Sequence, residues 1–237
     1  MEYNLDRLKE GMKDFSVTLT EEQCMQFMQY YEMLVEKNKV MNLTAITEFD
    51  EVIEKHFIDS VSLAKEYDLT KKCKILDMGT GAGFPGIPLK IAFPELDITL
   101  ADSLNKRILF LQEVIDALQL KNIRAIHSRA EELAADKNHR ESYDLCVSRA
   151  VANLSTLSEY CIPFVKVGGK FISYKSGECD EEVSAAKRAI AVLGGKLSDV
   201  KKFSIGESGR AFVIIDKVKP TPKQYPRKAG TPSKNPL

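Results

Sequence analysis

The 237-residue chain contains no apolar run near the ~20 residues that a membrane-spanning helix requires, which excludes that class of membrane protein. Its start, MEYNLDRLKEG, lacks the basic opening and apolar core of a secretory signal, so a cytoplasmic location is expected. Cysteine is sparse: Cys24, Cys73, Cys146, Cys161 and Cys179 are scattered, odd in number and never in a CxxC pair. That spacing argues against a disulfide framework or a zinc site, and fits a reducing compartment. The three histidines, His56, His127 and His139, show no ligand spacing, so no metal is expected. Charge of one sign is not in excess either, since 34 Lys and Arg balance 34 Asp and Glu. The whole-molecule field therefore does not announce a polyanionic partner. There is no internal repeat, and the polar ends suggest a monomer.

What is present is an ordinary globular composition, 44% hydrophobic and 29% charged, on a length that suits one α/β domain with extra elements. Residues 1–68 read as a helical cap. Thr20-Glu21-Glu22-Gln23 resembles an N-cap, and Phe27, Tyr30, Tyr31, Leu34 and Val35 follow at helical spacing. Asn38 to Thr47 reads as a loop, and Asp50 as the cap of a second helix carrying Val52, Ile53, Phe57, Val61 and Leu63. From residue 69 to 217 strands alternate with helices, which predicts a largely parallel sheet covered on both faces. Strands are expected at 73–77, 97–102, 123–127, 143–148, 170–174, 196–204 and 210–216, with helices at 85–92, 104–118, 154–164 and 181–193. The last two strands form a hairpin across Gly206-Glu207-Ser208-Gly209, placing an antiparallel strand at the end of the sheet. Beyond Asp216 no acidic side chain remains, while Lys217, Lys219, Lys223, Arg227, Lys228 and Lys234 follow among five prolines. Residues 218–237 therefore read as an extended or disordered basic tail, either solvated or in contact with phosphate.

The first strand ends in Asp77-Met78-Gly79-Thr80-Gly81-Ala82-Gly83 and a helix follows. Glycines there let the backbone turn tightly and approach a ligand beyond the carboxyl ends of the strands. Gly81 to Gly86 also satisfies GxGxxG, so a dinucleotide remains open, although one such match is weak. Asp77 tips the balance towards S-adenosylmethionine: its carboxylate suits the ammonium of that cofactor, directly or through water, and does not suit pyrophosphate. Asp102 ends the second strand, well placed for a ribose diol in either cofactor. Ala130 and Glu131 after the third strand are placed to flank an adenine, and Arg149 ends the fourth on the same rim.

Taken together with more distant segments, these residues resemble a particular family, the bacterial 16S ribosomal RNA guanine-N7 methyltransferases RsmG, also called GidB. The resemblance runs along nearly the whole chain. It includes Asn38-Lys39-Val40-Met41-Asn42-Leu43-Thr44, His56-Phe57-Ile58-Asp59-Ser60, the glycine turn with Phe84-Pro85-Gly86, and Asp102-Ser103-Leu104-Asn105-Lys106-Arg107. Arg129-Ala130-Glu131, Ser148-Arg149-Ala150 and the closing Tyr225-Pro226-Arg227-Lys228-Ala229-Gly230-Thr231-Pro232 complete it. It implies a seven-stranded, Rossmann-like class I methyltransferase sheet with an N-terminal helical extension. It also implies cofactor contacts at Gly79, Phe84, Ala130, Glu131 and Arg149, and Asp102 at the ribose. The implied product is N7-methylguanine in the decoding region of the small subunit. Tyr174-Lys175-Ser176-Gly177 lacks a clear family signature, so Lys175 takes no role from the resemblance.

Guanine N7 has an in-plane lone pair and no proton, so its methylation needs no general base, and no such arrangement is evident. Arg149 is the positioning candidate, on cofactor, guanine O6 or phosphate. His56 and Asp59 share a helix face that either turns to the site or fixes helix to sheet. Phe84 packs on cofactor, stacks a flipped base or anchors its own loop. Lys37, Lys39, Arg107, Arg227 and Lys228 are candidates for RNA phosphate. Two other readings stand beside this one: an NAD-dependent oxidoreductase, and an inactive RNA-binding ribosome-assembly factor.

Overall fold

The computed structural model describes residues 3–150 and 152–237. Seven strands form one sheet in the order β3-β2-β1-β4-β5-β7-β6. They are β1 (Lys74–Met78), β2 (Asp97–Asp102), β3 (Ile123–His127), β4 (Tyr143–Ser148), β5 (Val165–Ser176), β6 (Gly195–Ile205) and β7 (Ser208–Lys217). β1 to β5 are parallel, and β7 runs antiparallel to both its neighbours. The expected hairpin forms, but its last strand inserts between β5 and β6, so the edge belongs to β6. The burial pattern accounts for this: β7 carries a run of five buried residues, whereas most of β6 is exposed or half-buried.

Helices α1 (Asp6–Lys13) and α2 (Glu21–Met41) open the chain. α3 (Phe49–Val52), a π-helical segment Ile53–Ile58, α4 (Asp59–Val61) and a 3-10 turn Ser62–Lys65 then run on without a break. α5 (Gly86–Ala92), α6 (Asn105–Ala117), α7 (Ala130–Leu133), α8 (Leu154–Cys161) and α9 (Asp180–Val192) connect the strands, and α10 (Thr231–Lys234) lies near the end. Successive strand residues divide between two cores. Ile75, Ile98, Leu145 and Ile172 meet α5, α6 and the N-terminal helices through Phe27, Tyr30 and Phe57. Leu76, Cys146, Phe171 and Val213 meet α7, α8 and α9 through Leu133, Leu157 and Ile190. The N-terminal helices thus share a core with the sheet.

Thr20 caps α2 in a reciprocal box: its Oγ1 accepts from Gln23 N at 3.2 Å, and its N–H donates to Gln23 Oε1 at 2.8 Å. The Gln23 amide also donates to Ile91 O at 2.7 Å, tying the start of α2 to the end of α5. α2 runs through Asn38, where a loop was expected, as far as Met41. Asn42 ends it in the left-handed conformation (φ 49°, ψ 56°), and Asn38 Oδ1 receives Leu43 N at 2.6 Å and Thr44 N at 2.9 Å. Glu48, not Asp50, is the N-cap of α3, with Asp50 in the first turn.

The C-terminal segment departs most from expectation. It is an ordered strap rather than a free tail. Arg140 donates to the carbonyls of Tyr225 (2.8 Å) and Thr221 (2.9 Å), and Thr156 Oγ1 donates to Pro232 O at 3.0 Å. Arg227 forks onto Glu159, a fully buried carboxylate on α8. Proline limits the conformations the strap can adopt, and side chains of the body satisfy its backbone.

Candidate cofactor and substrate site

The glycine turn leaves β1 in the centre of the sheet. Gly79 has φ +72°, and a Cβ there would stand 3.2 Å from that of Ala150, so the position admits glycine alone without strain. Gly81 N–H donates to Asp102 Oδ2 at 3.0 Å, which ties the turn to the end of β2. Gly83 is packed against Ile87, Leu111 and Tyr30. Tyr30, buried on α2, donates through its hydroxyl to Ala82 O at 2.7 Å.

Asp77 is fully buried beneath this turn. Its Oδ2 accepts from Thr80 Oγ1 at 2.6 Å and from Gly86 N at 2.9 Å, while Oδ1 has no partner among the described residues. Burial pushes its carboxyl up to about 7, against the pull of the two hydrogen bonds and Arg149. Gly86 is the first residue of α5. A carboxylate therefore already occupies the helix N-terminus that a dinucleotide would need for its pyrophosphate. Gly86 also has no room for a side chain, since a Cβ would lie 2.2 Å from Leu100. The second half of the GxGxxG match serves packing.

A cavity of ≈ 320 Å³ opens over the ends of β1 to β4. Gly79, Asp102, Ala130 and Glu131 line it, with Tyr160 on α8 and with Gly230 and Ser233 of the strap. Asp102 Oδ1 accepts from Leu104 N at 2.9 Å, and Arg107 Nη1 lies 3.2 Å from Oδ2. Arg107 is thus committed to Asp102. Glu131 Oε1 accepts from Gly230 N at 2.9 Å. These residues fit S-adenosylmethionine: a glycine where a Cβ would intrude and a carboxylate at the end of β2. Asp77 itself lies behind the cavity and acts on its wall.

Arg149 does not line this cavity. It turns to the N-terminal helices, where Nη1 lies 2.8 Å from Asp59 Oδ2 and Nη2 3.0 Å from His56 Nδ1. His56 Nδ1 also lies 3.1 Å from Lys55 O, and its Nε2 lies 2.9 Å from Thr44 Oγ1. Burial, then the nearby Arg149 charge, holds the His56 ring down to about 3, so it stays neutral. Phe84 is buried, with His56 stacked on it (centroids 4.4 Å apart) and the Arg149 guanidinium 5.3 Å from its centroid. Phe84 therefore anchors its own loop against the N-terminal layer.

Arg149 lines a second cavity, of ≈ 670 Å³, with His56, Asp59, Tyr174, Lys175 and Arg210. The two cavities adjoin at Ala150 and Ala152, which line both. Asp59 is buried between two guanidinium groups, with Arg210 Nε 2.8 Å from its Oδ1. Lys175 donates to Ala152 O at 2.8 Å and to Glu182 Oε1 at 2.6 Å. Sequence reasoning missed Arg210 altogether, because its partner Asp59 is 151 positions away. Of the expected RNA contacts, Lys39 is exposed and pairs with Glu36, Arg227 is bound to Glu159, and Lys228 is exposed with no ion pair among the described residues. No group of three His, Cys, Asp or Glu among the described residues is placed to hold a metal ion, and none of the described helices is long and apolar enough to cross a membrane.

A sheet in this order, with a glycine turn after β1 and an acid ending β2, defines a class I S-adenosylmethionine-dependent methyltransferase. Solved structures share the fold: TYW2 of M. jannaschii in complex with AdoMet has a TM-score of 0.57 at 15% identity, over 73% of this chain and 80% of that one. NSun6 of Pyrococcus horikoshii with SFG has a TM-score of 0.55 at 16% identity, over 74% and 57% respectively. The chain belongs to the rRNA small subunit methyltransferase G family, GidB, whose model matches residues 23–211. It is 54% identical over 230 residues to the ribosomal RNA small subunit methyltransferase G of Lachnoclostridium phytofermentans, covering 96% of this chain and 95% of that protein. The protein of that name from Bacillus subtilis is 48% identical over 236 residues, 99% of each chain. Neither an oxidoreductase nor an inactive assembly factor finds support among these relatives.

Proposed function

We propose that this methyltransferase transfers the methyl group of S-adenosylmethionine to N7 of a guanine in 16S ribosomal RNA, in the decoding region, acting in the cytoplasm as a monomer on RNA or on the small-subunit particle. The observation that carries this reading is the junction of the two cavities at Ala150 and Ala152. One takes the cofactor and the other the target nucleotide, and only the end of β4 separates them.

In the first cavity Gly79 leaves room for the amino-acid end of the cofactor, Asp102 meets the ribose, and Ala130 and Glu131 flank the adenine. When bound, the cofactor supplies an electrophilic methyl group on a sulfonium. The chain's own residues provide position and electrostatics, and correct alignment is worth roughly 7 kcal/mol or more. Asp59 fixes the guanidinium groups of Arg149 and Arg210 in the second cavity, where their remaining donors suit guanine O6 or phosphate and leave N7 free. His56, neutral and stacked on Phe84, is a positioning residue for Arg149. No side chain has a proton to remove, in keeping with the chemistry of N7.

Mass-spectrometric mapping of 16S rRNA, with and without the protein and labelled cofactor, tests this directly. Methylation of one guanine at N7, lost in Gly79→Asp while the fold is retained, is the expected result. A folded natural chain that does not bind S-adenosylmethionine would sink the reading.

A further inference from the structure

We infer that the C-terminal strap, Tyr225 to Lys234, is a wall of the cofactor site and grips the purine-nucleoside half of S-adenosylmethionine. This rests on the cofactor reading above and not on the identity of the RNA. Gly230 and Ser233 line the first cavity together with Ser128 to Glu131 and with Tyr160 of α8. The Gly230 N–H holds Glu131 Oε1 at 2.9 Å, so a carboxylate of the cavity takes its orientation from the strap. In the sheet order β3-β2-β1-β4, the turn with Gly79 leaves the central β1, and Glu131 follows β3 at the far edge. The strap therefore reaches from α8, which follows β4, to Glu131 beyond the acid of β2. Met78, Ala130, Leu157 and Tyr160 give that space apolar surfaces suited to a flat base, and Glu131 and Ser233 give it polar atoms at the rim.

The anchoring matches such a role. Arg227 is fixed on the fully buried Glu159 of α8, with its Nη2 also donating to Asn235 O at 2.9 Å. Thr156, on the same helix, holds Pro232. α8 thus positions the residues on both sides of Gly230. A segment that served only to catch RNA would not need a buried carboxylate to hold its arginine.

The test is calorimetric titration of S-adenosylhomocysteine and of 5′-methylthioadenosine, which keeps the nucleoside and lacks the amino-acid end. The proteins are the natural chain, a chain ending at Pro222, and Ser233→Leu, which projects an isobutyl group from an exposed position on the cavity wall. Truncation is expected to weaken both ligands by the same factor, about tenfold or more, equivalent to at least ~1.4 kcal/mol. Ser233→Leu is expected to weaken both while the melting temperature of the ligand-free protein stays unchanged. Unchanged affinity in Ser233→Leu overturns the proposal, and so does a loss confined to S-adenosylhomocysteine. If the truncated chain does not fold, Ser233→Leu decides alone. A natural chain that binds neither compound would instead refute the methyltransferase reading.

Discussion

Asp77 is a fully buried acid at the base of the cofactor turn. The sequence suggests a carboxylate reaching for the cofactor. The folded chain puts it behind the glycine turn, with Thr80 and Gly86 on one oxygen and nothing on the other among the described residues. Burial raises its carboxyl from 3.8 to about 7, so the folded protein binds a proton that the unfolded chain has already lost. The contribution to stability is consequently greatest below pH 3.8 and falls away as pH rises through about 7. Asp77→Asn removes that dependence. The stability of the ligand-free variant relative to the natural chain should grow between pH 5 and 7 by at most about 3 kcal/mol, at ~1.4 kcal/mol per unit, and level off above 7, where the carboxyl is ionised in both states. Urea unfolding at a series of pH values checks this, and a pH-independent difference would contradict it. Gly79 and Asp102 were legible because each marks the end of a strand in a local motif. Arg210 was not, because only β7 crossing beside β5 brings it to Asp59.

At the level of elements, the N-terminal helices and the cofactor turn are one mechanical unit. Tyr30 of α2 holds Ala82 O, Gln23 holds the end of α5, and His56 of the π-helical segment stacks on Phe84. Tyr30→Phe leaves a buried carbonyl without its donor, at a cost of about 1–3 kcal/mol. It should also weaken cofactor binding severalfold, although Tyr30 does not line the cavity, and calorimetry beside urea unfolding separates the two effects. Unaltered affinity with lowered stability would show that α2 supports the fold and not the turn. The start of α2 was legible in Thr20 and Gln23, whose capping box is encoded within four residues. The π-helical segment was not: its apolar residues Ile53 and Phe57, with Val61 beyond it, fit an α-helical period equally well, and the wider turn leaves no compositional mark. The neutral ring of His56 adds a second pH effect. Its depressed value of about 3 means stability is lost as pH falls below 6.5, since the unfolded chain then takes up a proton that the folded one refuses. His56→Gln should flatten the acid limb of the stability profile between about pH 6.5 and 3.

For the molecule as a whole, zero net charge and a basic C-terminus pose one question: does the strap serve RNA or the body? The composition of residues 218–237 could not answer it, because the acidic partners lie upstream, in Glu131, Glu141 and Glu159. The arginine and the lysine of this strap therefore separate. Arg227→Met leaves a fully buried carboxylate with only the backbone N–H of residue 227 and should cost roughly 3–5 kcal/mol, part of it recovered in Arg227→Met with Glu159→Leu. It should leave the salt dependence of RNA binding unchanged. Lys228, exposed and without an ion pair among the described residues, should behave in the opposite way. Lys228→Ala is expected to leave stability within about 0.5 kcal/mol. If Lys228 meets phosphate, the slope of log affinity against log salt should fall by roughly 0.7. Filter binding across a salt series, beside urea unfolding of the same proteins, measures both. An equal fall in slope for the two variants would mean that the strap leaves Glu159 to bind RNA, whereas a fall for Lys228 alone means that RNA meets the strap where it lies.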